Sequence, residues 1–469
     1  MEREEGKRGL WTGRVAVIVG SAIVGVLSNS IQTSFFTLPE GSFGFLSGSH
    51  FSIAGTVATA VALLLMALAS RRSPAFVRAI PYLSLVLTAI GLLALAGSGA
   101  APLLLMAAAV LIGTGVAFGF SFWIVVTAGF GYEVAVLVLA GFRALSALGA
   151  WAARAVGSFE LWVGLLAVIF LFSVPLTVLS ARHSASWREA DTASSASTGS
   201  AAAMRLRPSI IFVCVFGFAS GAQRAFCQIE HVAMLSAVLF GCTLAGVALA
   251  LAVVRLVLHG FETPTVRIAM LTALATLYLA FPFAPESSWP VFFGLGDVLY
   301  VAATMHMNFA TVAATRDDSP ATLVVLGLFK GCVFLSAGLG FAASNGLHAF
   351  LGRSTTGLLT LSLVVMYLVM LGALPSLLRR AESHAALVDL TEQQIRSNAA
   401  LRKVYGLSDR EMDVVVLTLA GSSASSVAEK LYISENTVKT HLKRIYAKLD
   451  VHSKEELRTL VTECVRESS

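Results

Sequence analysis

Apolar residues run from Val15 to Leu378 in stretches of bilayer length, broken by short polar turns, and the pattern stops at Arg379 and Arg380. A hydrocarbon core needs about 20 mostly apolar residues per helix. On that measure the chain is expected to hold twelve membrane spans, near 13–35, 51–70, 78–98, 102–127, 131–152, 160–181, 209–226, 231–257, 265–285, 289–314, 321–349 and 355–378. Two of the runs are long enough to hold a break or a re-entrant piece, and counts of eleven or thirteen are compatible with the same pattern. Beyond residue 381 apolar positions recur at helical spacing among mixed charges, as in a small soluble helical unit. The expected fold class is therefore all-α: a polytopic transmembrane helical bundle followed by a four-helix domain.

The sharpest pattern in the tail is "ISENTVKTHLKRIYAKL", Ile433 to Leu449. Ser434 is placed to cap a helix starting at Glu435. Val438, Leu442, Ile445 and Leu449 are spaced four, three and four residues apart, so they form one stripe facing a small core. At about 100° per residue, Asn436, Lys439, Thr440 and Lys443 point the other way. Those side chains have the length and hydrogen-bonding capacity to reach base edges in a major groove. Thr437, His441, Arg444 and Lys448 fall on the flank, where phosphates would lie. Met412, Val415, Val416 and Leu419 mark a first supporting helix, and Val427, Ala428 and Leu431 a second, with Gly421 at the turn between them. Leu457, Leu460, Val461 and Cys464 form a stripe on a fourth helix.

Composition sharpens the division. The chain is 57% hydrophobic and 13% charged, against roughly 45–50% and about 25% in soluble domains. Its net charge of +6 gives no strong general attraction to nucleic acid. Residues 401–469 carry 11 Lys/Arg and 10 Asp/Glu, so any DNA affinity must come from where the charges sit. The five cysteines are scattered with no CxxC pair, which argues against zinc and assigns no disulfide. The first apolar run lacks a cleavage-site pattern followed by soluble sequence and is expected to be an uncleaved first span. No phosphate-cradling glycine loop, GxSxG or HExxH is present, so neither a catalytic site, a metal nor a cofactor is expected and an enzyme is disfavoured.

Basic residues set the expected topology. Arg3, Lys7, Arg8 and Arg14 precede the first span, Arg71, Arg72 and Arg78 follow the second, and Arg182, Arg188, Arg205 and Arg207 follow the sixth. Arg255 and Arg267 flank the connection after span eight, Arg316 follows span ten, and Arg379 and Arg380 follow span twelve. By the positive-inside rule both termini face the cytoplasm. Arg154 and Arg224 fall on the opposite side of this scheme. The Ser/Ala-rich stretch 180–209 reads as a flexible linker and divides the spans six and six.

The segment Leu407–Leu457 strongly resembles the LuxR-type helix-turn-helix domain of bacterial transcription regulators. The match is carried by Leu407, Arg410, Glu411, Gly421, Ala428, Leu431, Ile433, Ser434, Thr437, Val438, Lys439, His441, Leu442, Ile445, Lys448, Leu449 and Val451. Ser426 replaces the family's usual acidic residue, and Asp450 stands where a glycine is usual. The resemblance implies binding of double-stranded promoter DNA as a homodimer paired through the fourth helix. Six plus six spans around a central cytoplasmic loop resemble the major facilitator superfamily of transporters. "ALASRRSPAF" keeps Arg71–Arg72 but lacks the Gly and Asp that precede that pair in the family, which counts against transport.

Polar residues inside apolar runs are the candidates for a ligand site, since a charge at mid-bilayer costs at least about 2.5 kcal/mol. They are Arg143, Gln223, Asp297, His306, Asn308 and Lys330, with Arg154, Arg224 and Glu230 nearer the ends of their spans. For any one of them, snorkelling or structural pairing is the commoner role. Asp297 and Lys330 lie deepest, and they could simply pair with each other.

The expected organisation is a transmembrane sensor-like domain at 1–380 with a linker at 182–208, a connector at 381–406, and a DNA-binding domain at 407–469. The expected function is a membrane-bound one-component transcription regulator that senses a small molecule from the bacterial cytoplasmic membrane. The alternative is a secondary transporter with a regulatory tail.

Overall fold

The structure is a computed structural model. It describes residues 48–351 apart from the short connections 98–100, 130–131, 155–158, 184–191, 230–235, 259–262 and 316–318. It also describes parts of 360–371, and 405–467 apart from 420–421, 423 and 432. The expected span at 13–35, Glu230, Gly421 and nearly all of the connector 381–406 lie outside the described residues. The chain divides into two compact units, Met1–Leu374 and Pro375–Ser469.

The first unit is built from α1 (Gly48–Ser70), α2 (Pro74–Ala96), α3 (Pro102–Ala128), α4 (Tyr132–Arg154), α5 (Phe159–His183), α6 (Thr192–Ile229), α7 (Ser236–Leu258), α8 (Thr263–Ala280), α9 (Trp289–Thr315) and α10 (Ser319–Leu351). These coincide in order and approximate bounds with the second to eleventh expected spans. Further helical residues at 363–365 and 367–371 fall in the twelfth. Eight described helices are long and apolar enough to cross a bilayer, and two shorter apolar stretches, Ala54–Ser70 and Val134–Gly149, accompany them.

The lipid-facing side is visible in the burial pattern. On α2, Tyr82, Val86, Ile90 and Leu93 are exposed at intervals of four, four and three, while Ile80, Ser84, Thr88, Gly91 and Leu95 on the opposite face are buried. On α1 the exposed stripe is Val57, Val61, Leu65 and Leu68. A helix apolar on both its packed and its outward face is stable only with hydrocarbon outside. The first unit is thus a multi-pass membrane bundle.

Small residues set its closest contacts. The α6–α10 pair is the most extensively packed in the unit. A Cβ on Gly221 would collide with the carbonyl oxygen of Ala337, and one on Gly340 with that of Phe218, so both backbones approach only because these positions lack side chains. Cys214 on α6 and Cys332 on α10 are neighbouring free thiols in the same seam. The helices before and after the central connection meet through α1 against α10 and α4 against α7.

One expectation needs correction. Helix α6 begins at Thr192, inside the stretch read as a flexible linker. Its sequence "TASSASTGSAAAMRLRPS" looked loop-like for its serines. Yet Ala, Met, Leu and Arg are strong helix formers, and the apolar span beyond Pro208 continues the same helix.

The second unit holds α11 (Asp409–Leu419), α12 (Ala424–Leu431), α13 (Glu435–Leu449) and α14 (Lys454–Glu467) around a core of its own. That core includes Met412, Val415, Leu419, Val427, Val438, Ile445, Leu449, Leu457 and Val461.

Candidate functional site

Helix α13 is fixed at both ends. The Ser434 hydroxyl accepts the Thr437 amide at 3.1 Å and shares a 2.7 Å hydrogen bond with the Thr437 hydroxyl. At the other end Asp450 adopts the left-handed conformation, φ 52°, and its amide bonds back to Tyr446. This explains the glycine usual at that position: only a residue without a Cβ adopts this backbone freely. Asp is among the side chains that tolerate it best.

Val438, Ile445 and Leu449 are buried in the core and Leu442 is half-buried, as the spacing predicts. Asn436, Thr437, Lys439, Thr440, Lys443 and Arg444 are all exposed. Lys439 holds Glu435 at 2.8 Å, one turn back, and the Thr440 hydroxyl donates to the Asn436 carbonyl. Such an exposed pair is weak and leaves the lysine able to exchange partners. His441 is half-buried, with its Nδ1 shielded and without a hydrogen-bond partner. The outward face of α13 therefore presents amide, hydroxyl, ammonium and guanidinium donors on a rigid rod.

Lys448 behaves differently from its neighbours. Its ammonium donates to Glu411 Oε2 at 2.7 Å and to the Gly406 carbonyl at 2.7 Å. Glu411 also accepts the Ser408 amide at 2.8 Å, and the Ser408 hydroxyl accepts the Glu411 amide at 3.3 Å. This is a reciprocal N-terminal cap on α11 with a lysine from α13 closing it. Burial alone would raise the Glu411 pKa; the bonds from Lys448 and Ser408 outweigh it and hold the carboxyl below its ordinary value. A second cap opens α14, where Ser453 accepts the Glu456 amide and Glu456 accepts the His452 amide. Sequence reasoning identified the Ser434 cap and passed over these two, although "SDRE" and "SKEE" both carry the Ser-x-x-Glu signal.

On α14, Leu457 and Val461 are fully buried within the unit's own core. Leu460 and Cys464 are half-buried beside it. The four-residue stripe expected to pair two copies is thus half committed inside one copy.

The polar candidates of the membrane unit fall into two groups. Arg143 on α4 lies within electrostatic reach of Asp297 and Tyr300 on α9 and of Arg224 on α6, and Lys330 on α10 lies within reach of Arg143. These side chains and Gln223 are all half-exposed. Gln223 donates to the Phe293 carbonyl at 2.7 Å. His306 and Asn308 sit elsewhere on α9 and are buried. His306 lies near Arg267, which donates to Ser209 at 2.7 Å; both His306 ring nitrogens and the Asn308 carbonyl oxygen lack partners. The Arg154 side chain lies outside the described residues. No group of His, Cys, Asp or Glu able to hold a metal occurs among the described residues.

Residues 406–461 match the family model for bacterial regulatory proteins of the luxR family. A putative transcriptional regulator of Pseudomonas aeruginosa is 44% identical over 61 residues, covering 13% of this chain and 29% of that protein. An uncharacterized transcriptional regulatory protein of Bacillus subtilis, YhcZ, is 40% identical over 62 residues, again 13% and 29%. The chain thus spans under a third of these curated relatives, and the likeness is confined to the tail. Across 78% of the chain the fold is similar to two solved transporters. The nucleoside transporter NupG has a TM-score of 0.50 at 13% identity, with 98% of it covered. The xylose transporter XylE from E. coli, in a partially occluded inward open conformation, has a TM-score of 0.54 at 12% identity, with 96% covered. At these identities the likeness is one of fold. The chain therefore joins a C-terminal domain of the luxR regulatory type to a membrane bundle whose fold is that of these solved transporters.

Proposed function

We propose that this protein is a membrane-bound one-component transcription regulator. Its transporter-like unit senses a small molecule, and its tail binds promoter DNA from the cytoplasmic face of a bacterial inner membrane. The single observation that carries the DNA-binding part is the outward face of α13, where Asn436, Lys439, Thr440 and Lys443 stand exposed opposite the buried Val438, Ile445 and Leu449. In helix-turn-helix proteins the second helix reads base edges while flanking groups hold phosphates. Thr437, Arg444 and the half-buried His441 suit that flank. Lys448 is better explained as a strut of the domain, because its ammonium is already bonded to Glu411 and Gly406.

Ligand binding would shift a two-state equilibrium of the bundle, passed on through residues 381–406. Two tails would then engage half-sites about 34 Å apart. Pairing of the tails would use the half-exposed Leu460 and Cys464 with neighbouring surface of α14. The experiment is a gel shift of the 381–469 fragment on promoter DNA recovered with the full chain. Retention that Lys443→Ala weakens supports the reading, and retention that Lys443→Ala leaves unchanged contradicts it. The transporter-like fold favours one second reading, a working transporter with a regulatory tail. Uptake or efflux in vesicles carrying the chain truncated after Arg380 would establish it.

A further inference from the structure

Three cations from three helices share one neighbourhood of the membrane unit: Arg143 on α4, Arg224 on α6 and Lys330 on α10. Asp297 is the acid among the described members of this group, so the basic groups outnumber the acids even where Asp297 is matched to one of them. Aromatic rings surround it. The Arg224 guanidinium lies 5.8 Å from the Tyr300 ring centroid, and the Lys330 ammonium lies 4.9 Å from those of Phe120 and Phe329. Phe142 packs on Phe120 at 5.5 Å. Arg143, Arg224, Asp297, Tyr300 and Lys330 are all partly buried between the helices.

The rings alone are a modest compensation for buried cations. An uncompensated cation at mid-bilayer costs at least about 2.5 kcal/mol. A cation–π contact returns about 0.5–2 kcal/mol. The rings therefore offset only part of such a cost, and a bound oxyanion would offset more of it. Arg presents a planar fork of donors matched to carboxylate and phosphate, and Lys adds a point charge.

We infer that this cluster recognises an organic oxyanion. Arg143, Arg224 and Lys330 hold its carboxylate or phosphate, and Phe120 and Tyr300 contact an apolar or aromatic body. This rests on the ligand-sensing reading above and narrows it to one charge class. Gln223 borders the same group, whereas His306 and Asn308 belong to a different part of α9.

The test uses the full-length protein in lipid nanodiscs and calorimetric titration with four probes of similar shape: benzoate, phenyl phosphate, neutral benzamide and cationic benzylamine. At least one anion is expected to bind about tenfold or more tighter than benzamide, a difference of about 1.4 kcal/mol, and benzylamine weakest. Lys330→Gln and Arg143→Gln are each expected to remove most of that preference for the anion over benzamide. The wild-type series stands by itself if a variant fails to fold. Benzamide or benzylamine binding as tightly as both anions overturns the inference and leaves the sensor reading intact. No binding of any of the four at millimolar concentration overturns it and counts against that reading too.

Discussion

Lys448 Nζ lies 2.7 Å from Glu411 Oε2, joining the C-terminal end of α13 to the N-terminal cap of α11. The Glu411 side chain is 6% exposed and that of Lys448 38%, so the bond is shielded on one side only. Lys448 also bonds the Gly406 carbonyl, where the chain enters the domain at φ +62°. Removing the lysine leaves a buried carboxylate with only its Ser408 partners. Lys448→Met is expected to destabilise the 381–469 fragment by about 1–2 kcal/mol, below the cost of breaking a fully buried pair because the lysine is partly solvated. Thermal unfolding of the fragment, which has a core of its own, measures this. A change under a few tenths of a kcal/mol would show the bond to be incidental.

The same carboxyl sets a pH dependence. Its folded pKa is depressed, by Lys448 and Ser408 acting against burial. A depressed carboxyl contributes stability above its unfolded pKa, and that contribution is lost as pH falls through the folded value, because the unfolded chain takes up the proton first. Unfolding of the fragment followed across the acid range should show a loss of stability below the ordinary carboxylate pKa. In Glu411→Gln that loss should be smaller. Identical acid profiles for the two proteins would contradict the assignment.

Asp450 holds a backbone conformation that L side chains rarely adopt. Asp450→Gly is expected to raise stability by about 0.5–1 kcal/mol, or about 4–8 °C per kcal/mol in melting temperature for a domain of this size. The opposite change, Asp450→Val, should lower it, since a β-branched side chain is strained there. A melting temperature unchanged by both would mean that the end of α13 relaxes without cost.

In the membrane unit the seam between α6 and α10 depends on Gly221 and Gly340. Gly221→Leu has no room beside Ala337 and should separate the two helices. The expected result is loss of monodisperse full-length protein in detergent, while the tail retains its own cooperative unfolding. Normal yield and melting of this variant would mean that the seam can widen freely.

Much of this was legible in the sequence, for reasons that differ along the chain. The spans were legible because a run of apolar residues has one inexpensive location, and ten of the expected runs coincide with described helices. The stripe on α13 was legible because four apolar residues at helical spacing fix both faces of a helix. The role of Lys448 was not, since its partner Glu411 lies 37 residues away in the chain and only the fold brings them together. Periodicity placed Leu457 and Val461 on one face of α14 but could not say that the face turns inward. His306 and Lys330 look alike as polar residues in apolar runs, yet one is buried beside Arg267 and the other lies among aromatic rings. The start of α6 was missed because serine-rich composition outweighed the helix-forming alanines around it.

Lys443 is exposed on the outward face of α13, and no ion pair among the described residues holds it in the way Lys448 is held. Lys443→Ala is expected to cost about 1–3 kcal/mol in binding to a specific duplex if it reads a base. If it meets a phosphate, it should instead lower the salt dependence by about one counterion. Equal affinity and equal salt slope for both proteins would move the reading face elsewhere.

The central claim is that an intact, lipid-embedded chain grips chromosomal DNA. The direct measurement is to crosslink cells expressing the full-length protein, isolate their membranes, and sequence the DNA recovered with the intact chain. The account predicts a small set of promoter fragments travelling with the membrane-bound protein and depleted when Lys443 is replaced by alanine. Recovery of no more DNA than with that variant, or recovery only with a shortened soluble fragment, would contradict it.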